Sequence, residues 1–247
     1  MKFAVALVTD KNYIEQTKYI IGAIRKFGKW THDIILICND LGEGLRTFVE
    51  KDLILAHTKP TNYNWAKVNV FDKTITGMYD RVLYLDQDCV IFKSIIGLFY
   101  QDGVFLADDD TKKVREDFME RNDVGMFHQD FVKLQNTINV DSKAFCSGIM
   151  RFSPRMISDD ILKQLEKLRE EYKYINNLNG IPDGMAEQSI LNIYFCEKWQ
   201  TFKQACFWLR KRPDTILTHN TRWYAPWKFS DLKERYHECI RYFEEEL

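Results

Sequence analysis

Apolar residues fall in short unbroken runs, and between the runs they recur at helical spacing. Phe3–Val8 and Ile34–Cys38 are the longest runs, and both are strand-length, far below the ~20 residues of a membrane span. Runs without polar alternation fit strands buried on both faces, as in a parallel sheet. Over 12–27 the apolar positions are Tyr13, Ile14, Tyr19, Ile20, Ile21, Ala23 and Ile24, one face of a helix. Asp33–Cys38 predicts a second strand, 42–51 a helix, 53–56 a short strand and 65–74 a helix. Arg81–Leu85, 104–107 and 144–152 predict further strands. Amphipathic helices are expected over 158–174, 184–196 and 230–246, the last with Ser230 as its N-cap. This alternation predicts an α/β fold: a mostly parallel central sheet flanked by helices, within a single domain. The polar stretch 108–142 reads as an insertion or lid at the carboxyl edge of the sheet.

Composition narrows the function. Lys plus Arg number 35 and Asp plus Glu 36, a formal net charge of -1, which gives no electrostatic reason to expect nucleic acid as the main ligand. The six cysteines are scattered with no CxxC pair, as expected of free thiols in a reducing cytoplasm rather than a disulfide framework or zinc cluster. No signal-peptide pattern opens the sequence, and no integral membrane segment is expected.

The strongest chemical feature is the string Arg81-Val82-Leu83-Tyr84-Leu85-Asp86-Gln87-Asp88. An apolar strand runs straight into Asp-x-Asp. In open α/β sheets, ligands bind beyond the carboxyl ends of strands. Two carboxylates placed there can turn toward one hard cation, Mn2+ or Mg2+, which keeps positions for phosphate oxygens. An acidic surface turn is the plain alternative. A haloacid-dehalogenase-type phosphatase also opens on an apolar strand and DxD, but near the chain start, and Asp108-Asp109-Asp110 follows too soon to be its late acidic motif. Gly42-x-Gly44-x-x-Thr47 imitates a dinucleotide fingerprint without its third glycine, and reads as a turn with a helix start.

Other pieces follow in order. Leu7-Val8-Thr9-Asp10 ends the first strand, with Tyr13 opening the next helix. Trp65-Ala66-Lys67 precedes the DxD strand. Phe145-Cys146-Ser147-Gly148-Ile149-Met150 lies in a later strand, Glu187-Gln188-Ser189-Ile190-Leu191-Asn192 on a helix, and His219 precedes Pro226-Trp227. Across residues 3–228 this set resembles glycosyltransferase family 8, the glycogenin and bacterial galactosyltransferase group. The resemblance implies a GT-A fold and transfer of a sugar, with retention, from a nucleotide diphosphate donor such as a UDP-sugar. The acceptor, glycan, protein or lipid, is not implied. Asp86, Asp88 and His219 would hold the divalent metal. Val8, Thr9, Asp10 and Tyr13 would line the nucleoside pocket, and Lys67 would reach the base or diphosphate. Gln87, Cys146, Ser147, Gly148 and Arg222 complete the implied substrate contacts, and Gln188 and Glu187 the catalytic pair at the sugar. Residues 1–107 would then form the nucleotide-sugar half, 108–143 the lid, and 144–247 the acceptor side.

Four positions depart from that pattern, one of them Glu187, which stands where Asp is usual. Cys146 stands where Asn is usual, Arg222 where Gly is, and Ala225 where a diphosphate-binding Lys is; Arg222 or Lys228 could restore the charge. Two readings compete: a non-catalytic nucleotide-sugar or glycan-binding relative, which the Cys146 and Ala225 departures motivate, and a nucleotidyltransferase on a related sheet. The second usually needs a Gly-rich first loop, which Thr9-Asp10-Lys11-Asn12 does not provide. Retention itself is open to front-face displacement or to a double displacement through Glu187; front-face displacement is the expectation.

Overall fold

The computed structural model describes every residue except 50, 121–126, 173–185, 208–209 and 221–224. The chain begins β1 (Phe3–Thr9), α1 (Ile14–Lys26), β2 (Asp33–Cys38), α2 (Arg46–Val49), β3 (Ile54–His57) and α3 (Tyr63–Ala66). It continues through α4 (Lys73–Thr76), β4 (Arg81–Leu85), β5 (Cys89–Ile91), α5 (Ile96–Phe99), β6 (Phe105–Lys113), α6 (Val114–Glu120) and α7 (Phe127–Thr137). Then come β7 (Lys143–Phe152), α8 (Ile161–Glu171), α9 (Ala186–Tyr194), β8 (Gln200–Thr201), β9 (Ala205–Phe207), β10 (Leu217–His219) and α10 (Ser230–Glu246).

Seven strands form one sheet in the order β3-β2-β1-β4-β7-β6-β8. β3, β2, β1 and β4 run parallel, and β7 alone lies antiparallel to its neighbours β4 and β6. β1 is buried along its whole length, as its unbroken apolar run requires. Its residues alternate between two cores. Ala4, Ala6 and Val8 join Ile35, Ile37, Val82 and Tyr84 on one face, under α8 and α9. Phe3, Val5 and Leu7 join Leu36, Leu83 and Leu85 on the other, under α1 and α10. Gly22 lets α1 and α10 meet: a Cβ there would sit 2.1 Å from the Cys239 carbonyl oxygen. The result is an α/β/α sandwich.

A second, three-stranded sheet of order β5-β10-β9 grows from the end of β4. Its strands are three residues each, too short for a periodic signal. Three local expectations need correction. β6 continues past Ala107 to Lys113, because β7 pairs with its acidic end across two register shifts. The 65–74 helix is broken: α3 passes into a 3-10 turn, Lys67–Phe71, and α4 restarts where the Asp72 side chain accepts from Thr74 N. Ser230 is the first helical residue of α10, with Phe229 at the N-cap. The expected helix over 184–196 starts, as described, at Ala186. Among the described residues no helix is long and apolar enough to cross a membrane. All six cysteines are free.

Candidate active site

The Asp86–Asp88 turn joins the two sheets. Asp86 N donates to Gly148 O at 2.9 Å, and Cys89 N to Asp86 O at 3.2 Å, so the turn is fixed by β7 and by its own backbone. β10 then pairs antiparallel with β5 and sets His219 opposite Cys89. This register delivers the imidazole to the DxD turn. His219 Nε2 lies 3.1 Å from Asp88 Oδ1 and 3.6 Å from Asp86 Oδ2. One ligand atom from each of the three residues falls within 4.8 Å of the others.

Gly148 makes room for the ring. A Cβ at this position would lie 2.4 Å from His219 Cε1 and Nε2. On the far side of the ring, Cys146 Sγ is 3.1 Å from Nδ1. Burial opposes a charge on His219, but Cys146 and Asp88 raise its pKa well above that of free imidazole.

Lys67 is buried inside the cluster. Its Nζ is 3.2 Å from Asp86 Oδ2, 3.1 Å from Ser147 Oγ and 3.2 Å from Glu187 Oε1. Burial opposes this ammonium, yet Asp86 and Glu187 lift its pKa above the ordinary lysine value. Burial would likewise raise the Asp86 carboxyl, but Lys67, His219 and a hydrogen bond from Tyr84 OH hold it below the usual carboxylate range. The Asp86 carboxylate is therefore ionised with two cationic groups against it.

Beside the turn is a pocket of about 200 Å³ lined by Tyr13, Tyr63, Asn64, Lys67, Asp86, Gln87, Asp88 and Trp227. The Tyr13 and Tyr63 rings stack at 4.2 Å and 21°. Tyr63 OH donates to Gln87 Oε1 at 2.5 Å, and Gln87 Nε2 donates to Val8 O, tying the pocket wall to the end of β1. Val8 offers this backbone oxygen while its side chain belongs to the core. Thr9 is turned inward onto Thr17 Oγ1 at 2.7 Å, and Asp10 accepts from Asn12 N at 2.8 Å. A larger cleft of about 450 Å³ lies beyond α3, against α8, with mixed charges (Lys59, Asp72, Glu166, Arg169) and none of the DxD cluster.

Glu187 and Gln188 sit in the first turn of α9, which is bolted to β7. Asn192 accepts from Phe145 N at 2.7 Å and donates to Phe145 O at 2.9 Å. Ser147 N donates to Gln188 Oε1 at 3.1 Å, and Gln188 Nε2 donates to Asp117 Oδ1 at 2.8 Å. The carboxamide therefore has a single orientation. Glu187 is 4% exposed, and its Oε2 is buried without a hydrogen-bond partner. Asp108 pairs across to Cys146 in the β6–β7 register. Burial raises its carboxyl to about 7 despite Arg210 at 3.1 Å.

Of the residues singled out in the sequence, Asp86, Asp88, His219, Lys67, Cys146, Ser147, Gly148, Glu187 and Gln188 come together here. Gln87 and Tyr13 line the adjacent pocket. Arg222 lies outside the described residues. The sequence reading passed over Tyr63, Tyr84 and Asp117. Tyr84 had a signal, since it lies two residues before Asp86 and shares its side of the strand; Asp117 had none.

With this geometry in place, similar solved structures can be compared. The galactosyltransferase LgtC, solved with donor and acceptor sugar analogs, matches with a TM-score of 0.66 at 16% identity, over 96% of this chain and 95% of that one. A variant of LgtC with an active-site Gln replaced by Glu matches at 0.68 and 15% identity, over 96% and 95%. GlyE, a glycosyltransferase of Streptococcus pneumoniae, matches at 0.63 and 19% identity, over all of this chain and 64% of that one. The chain has the GT-A fold. No protein-family model matches the sequence, and no curated protein matches it. The GT-A expectation holds, and in this fold the DxD turn closes the fourth parallel strand of the sheet, with the stacked tyrosines on one side and α9 on the other.

The donor set fits a divalent cation. It offers two carboxylates and an imidazole whose ligand atoms all lie within 4.8 Å of one another, oxygen and nitrogen donors of the kind Mn2+ or Mg2+ takes.

Proposed function

We propose that the protein is a retaining glycosyltransferase that takes a sugar from a nucleotide diphosphate donor, a UDP-sugar, and requires Mn2+ or Mg2+. The observation that supports this is the convergence of Asp86, Asp88 and His219 at the carboxyl end of β4 within a GT-A fold. A divalent cation at these residues would supply positive charge beside the leaving diphosphate, so that no strong general acid is needed. Around it, the chain's own groups divide the work. The Tyr13 and Tyr63 rings offer faces for a base. Lys67 keeps Asp86 ionised and presents a second cation. Gln188, pinned between Ser147 and Asp117, is the candidate for the role at the reacting sugar. Glu187 Oε2 is an unused acceptor for a sugar hydroxyl. Its other oxygen is engaged with Lys67 and Ser147, which suits orientation of the donor and front-face displacement better than nucleophilic attack.

On this reading 1–107 is the donor half, 108–143 the lid and 144–247 the acceptor side. Six free thiols suit a cytoplasmic setting. The acceptor would be a glycan, protein or lipid reached from the lid side. The alternative is a binding-only relative, favoured by the buried Ala225 where the resembled pattern has a diphosphate-binding Lys.

A thermal-shift panel of nucleotide sugars, with and without Mn2+ and beside Asp88→Asn, tests the proposal. Stabilisation by a donor that needs both Mn2+ and Asp88 is expected, followed by slow metal-dependent donor hydrolysis. Stabilisation without hydrolysis favours the binding-only relative. No metal-dependent shift with any donor refutes the metal-dependent transferase.

A further inference from the structure

The two nitrogens of His219 have separate partners. Nε2 faces Asp88 and Asp86, at 3.1 and 3.6 Å. Nδ1 faces the Cys146 sulfur at 3.1 Å. Cys146 and Gly148 are two residues apart on β7, so they share one face of the strand. The imidazole lies along that face, with the sulfur beyond one edge and the bare Gly148 backbone beneath its other side. A metal-binding imidazole must present a lone pair on one nitrogen, and the hydrogen bond made by the other nitrogen decides which. A carboxylate or carbonyl oxygen usually accepts that second bond. Here Nδ1 faces a thiol sulfur.

We propose that Cys146 is a positioning residue for the metal site: its sulfur accepts from His219 Nδ1–H and so keeps the Nε2 lone pair aimed between Asp86 and Asp88. This rests on the metal-dependent reading above. It gives the cysteine a role toward the imidazole instead of the sugar contact expected of an asparagine at this position. Cys146 itself touches no reactant in this role. The sulfur acts only through the ring, and Gly148 prevents the ring from escaping toward β7.

The test uses the full chain and Mn2+ alone, with no donor. Mn2+ affinity is measured by electron paramagnetic resonance for the wild type, Cys146→Ala and Cys146→Ser. The His219 nitrogen shifts are recorded on the Mg2+-saturated proteins. Cys146→Ala is expected to weaken Mn2+ binding about 10- to 100-fold, the scale for loss of a ligand's outer partner. Cys146→Ser keeps an acceptor and should recover part of that loss. The wild-type spectrum should show a proton on Nδ1 and none on Nε2, and Cys146→Ala should lose this preference. Cys146→Ala that folds, binds Mn2+ as tightly as wild type and keeps the same nitrogen shifts would overturn the proposal. So would a wild-type ring protonated on Nε2 in the Mg2+-saturated protein. If Cys146→Ala fails to fold, Cys146→Ser decides the matter: an unchanged spectrum with partial binding supports the proposal, and binding lost with Nδ1–H retained overturns it. A wild type that binds no Mn2+ sinks the metal-dependent reading and this proposal together, before any substitution is made.

Discussion

Gly148→Ala is the sharpest single perturbation of the site. The added carbon would lie 2.4 Å from His219 Cε1 and Nε2 and 2.7 Å from Cδ2. Carbon atoms sit comfortably at about 3.5–4.0 Å, so the ring or the strand has to yield by about 1 Å. The ring has little room to do so. Its backbone is held between β5 and β9, and Cys146 flanks its far edge. Overpacking of this kind costs about 1–3 kcal/mol. At about 2–4 °C per kcal/mol for a chain of this size, the melting temperature should fall by roughly 2–12 °C. Function should suffer more than stability. A 1 Å displacement of Nε2 removes it from a set of donor atoms that spans only 4.8 Å. Mn2+ affinity should drop at least as far as when a ligand's outer support is lost, about 10- to 100-fold. Thermal melts with and without Mn2+, with a direct titration, read both effects. Wild-type Mn2+ affinity in a folded Gly148→Ala protein would refute the placement of His219 as a ligand.

Lys67→Met leaves the buried Glu187 carboxylate and the half-buried Asp86 carboxylate without their shared ammonium. Removing one partner of a buried ion pair costs about 3–5 kcal/mol, to be read from urea unfolding at neutral pH, and a change below about 1 kcal/mol would contradict the network. Asp108 should give the protein a distinctive pH profile. Its carboxyl rises from 3.8 to about 7 on folding, so the folded state binds the proton more tightly than the unfolded one. Its contribution therefore favours the fold at low pH and is lost as pH rises through that window, by about 4 kcal/mol for a shift of about three units. Asp86 has the opposite sign, since its depressed pKa stabilises the fold above the ordinary carboxylate range and is lost on acidification. The comparison that isolates Asp108 is wild type against Asp108→Asn. The wild type should lose stability relative to the variant between pH 4 and 7, and parallel profiles would show that burial of Asp108 carries no such cost.

The legible part of this fold was its buried sheet. β1, β2 and β4 are largely apolar runs whose burial leaves little choice of structure, and Asp86 and Asp88 were found because they end one of them. The small sheet was not legible. Cys89-Val90-Ile91 and Leu217-Thr218-His219 become strands by pairing with each other, β10 also with β9, and the β5 pairing is what brings His219 to the DxD turn. The sequence order suggested the partnership through a resemblance, but no local pattern required it. β6 shows tertiary contact overriding propensity. Asp108–Lys113 is poor strand sequence, yet it pairs with β7 as far as Lys143. Lys67 was expected to extend toward a base or diphosphate. Its place among Asp86, Ser147 and Glu187 depends on α9, whose Glu187 is 120 residues further along the chain.

The turn between the two sheets also sets an order of events during synthesis. Both aspartates leave the ribosome with the parallel half of the sheet, and the imidazole follows later, on β10. Until β10 threads between β5 and β9, the nascent protein carries the acidic turn without His219 beside it. Contacts between such distant segments form late and slowly. A chain halted or clipped before Leu217 would keep much of the sandwich while lacking the imidazole. On the proposed function, cation affinity would follow closure of the small sheet and not formation of the parallel one.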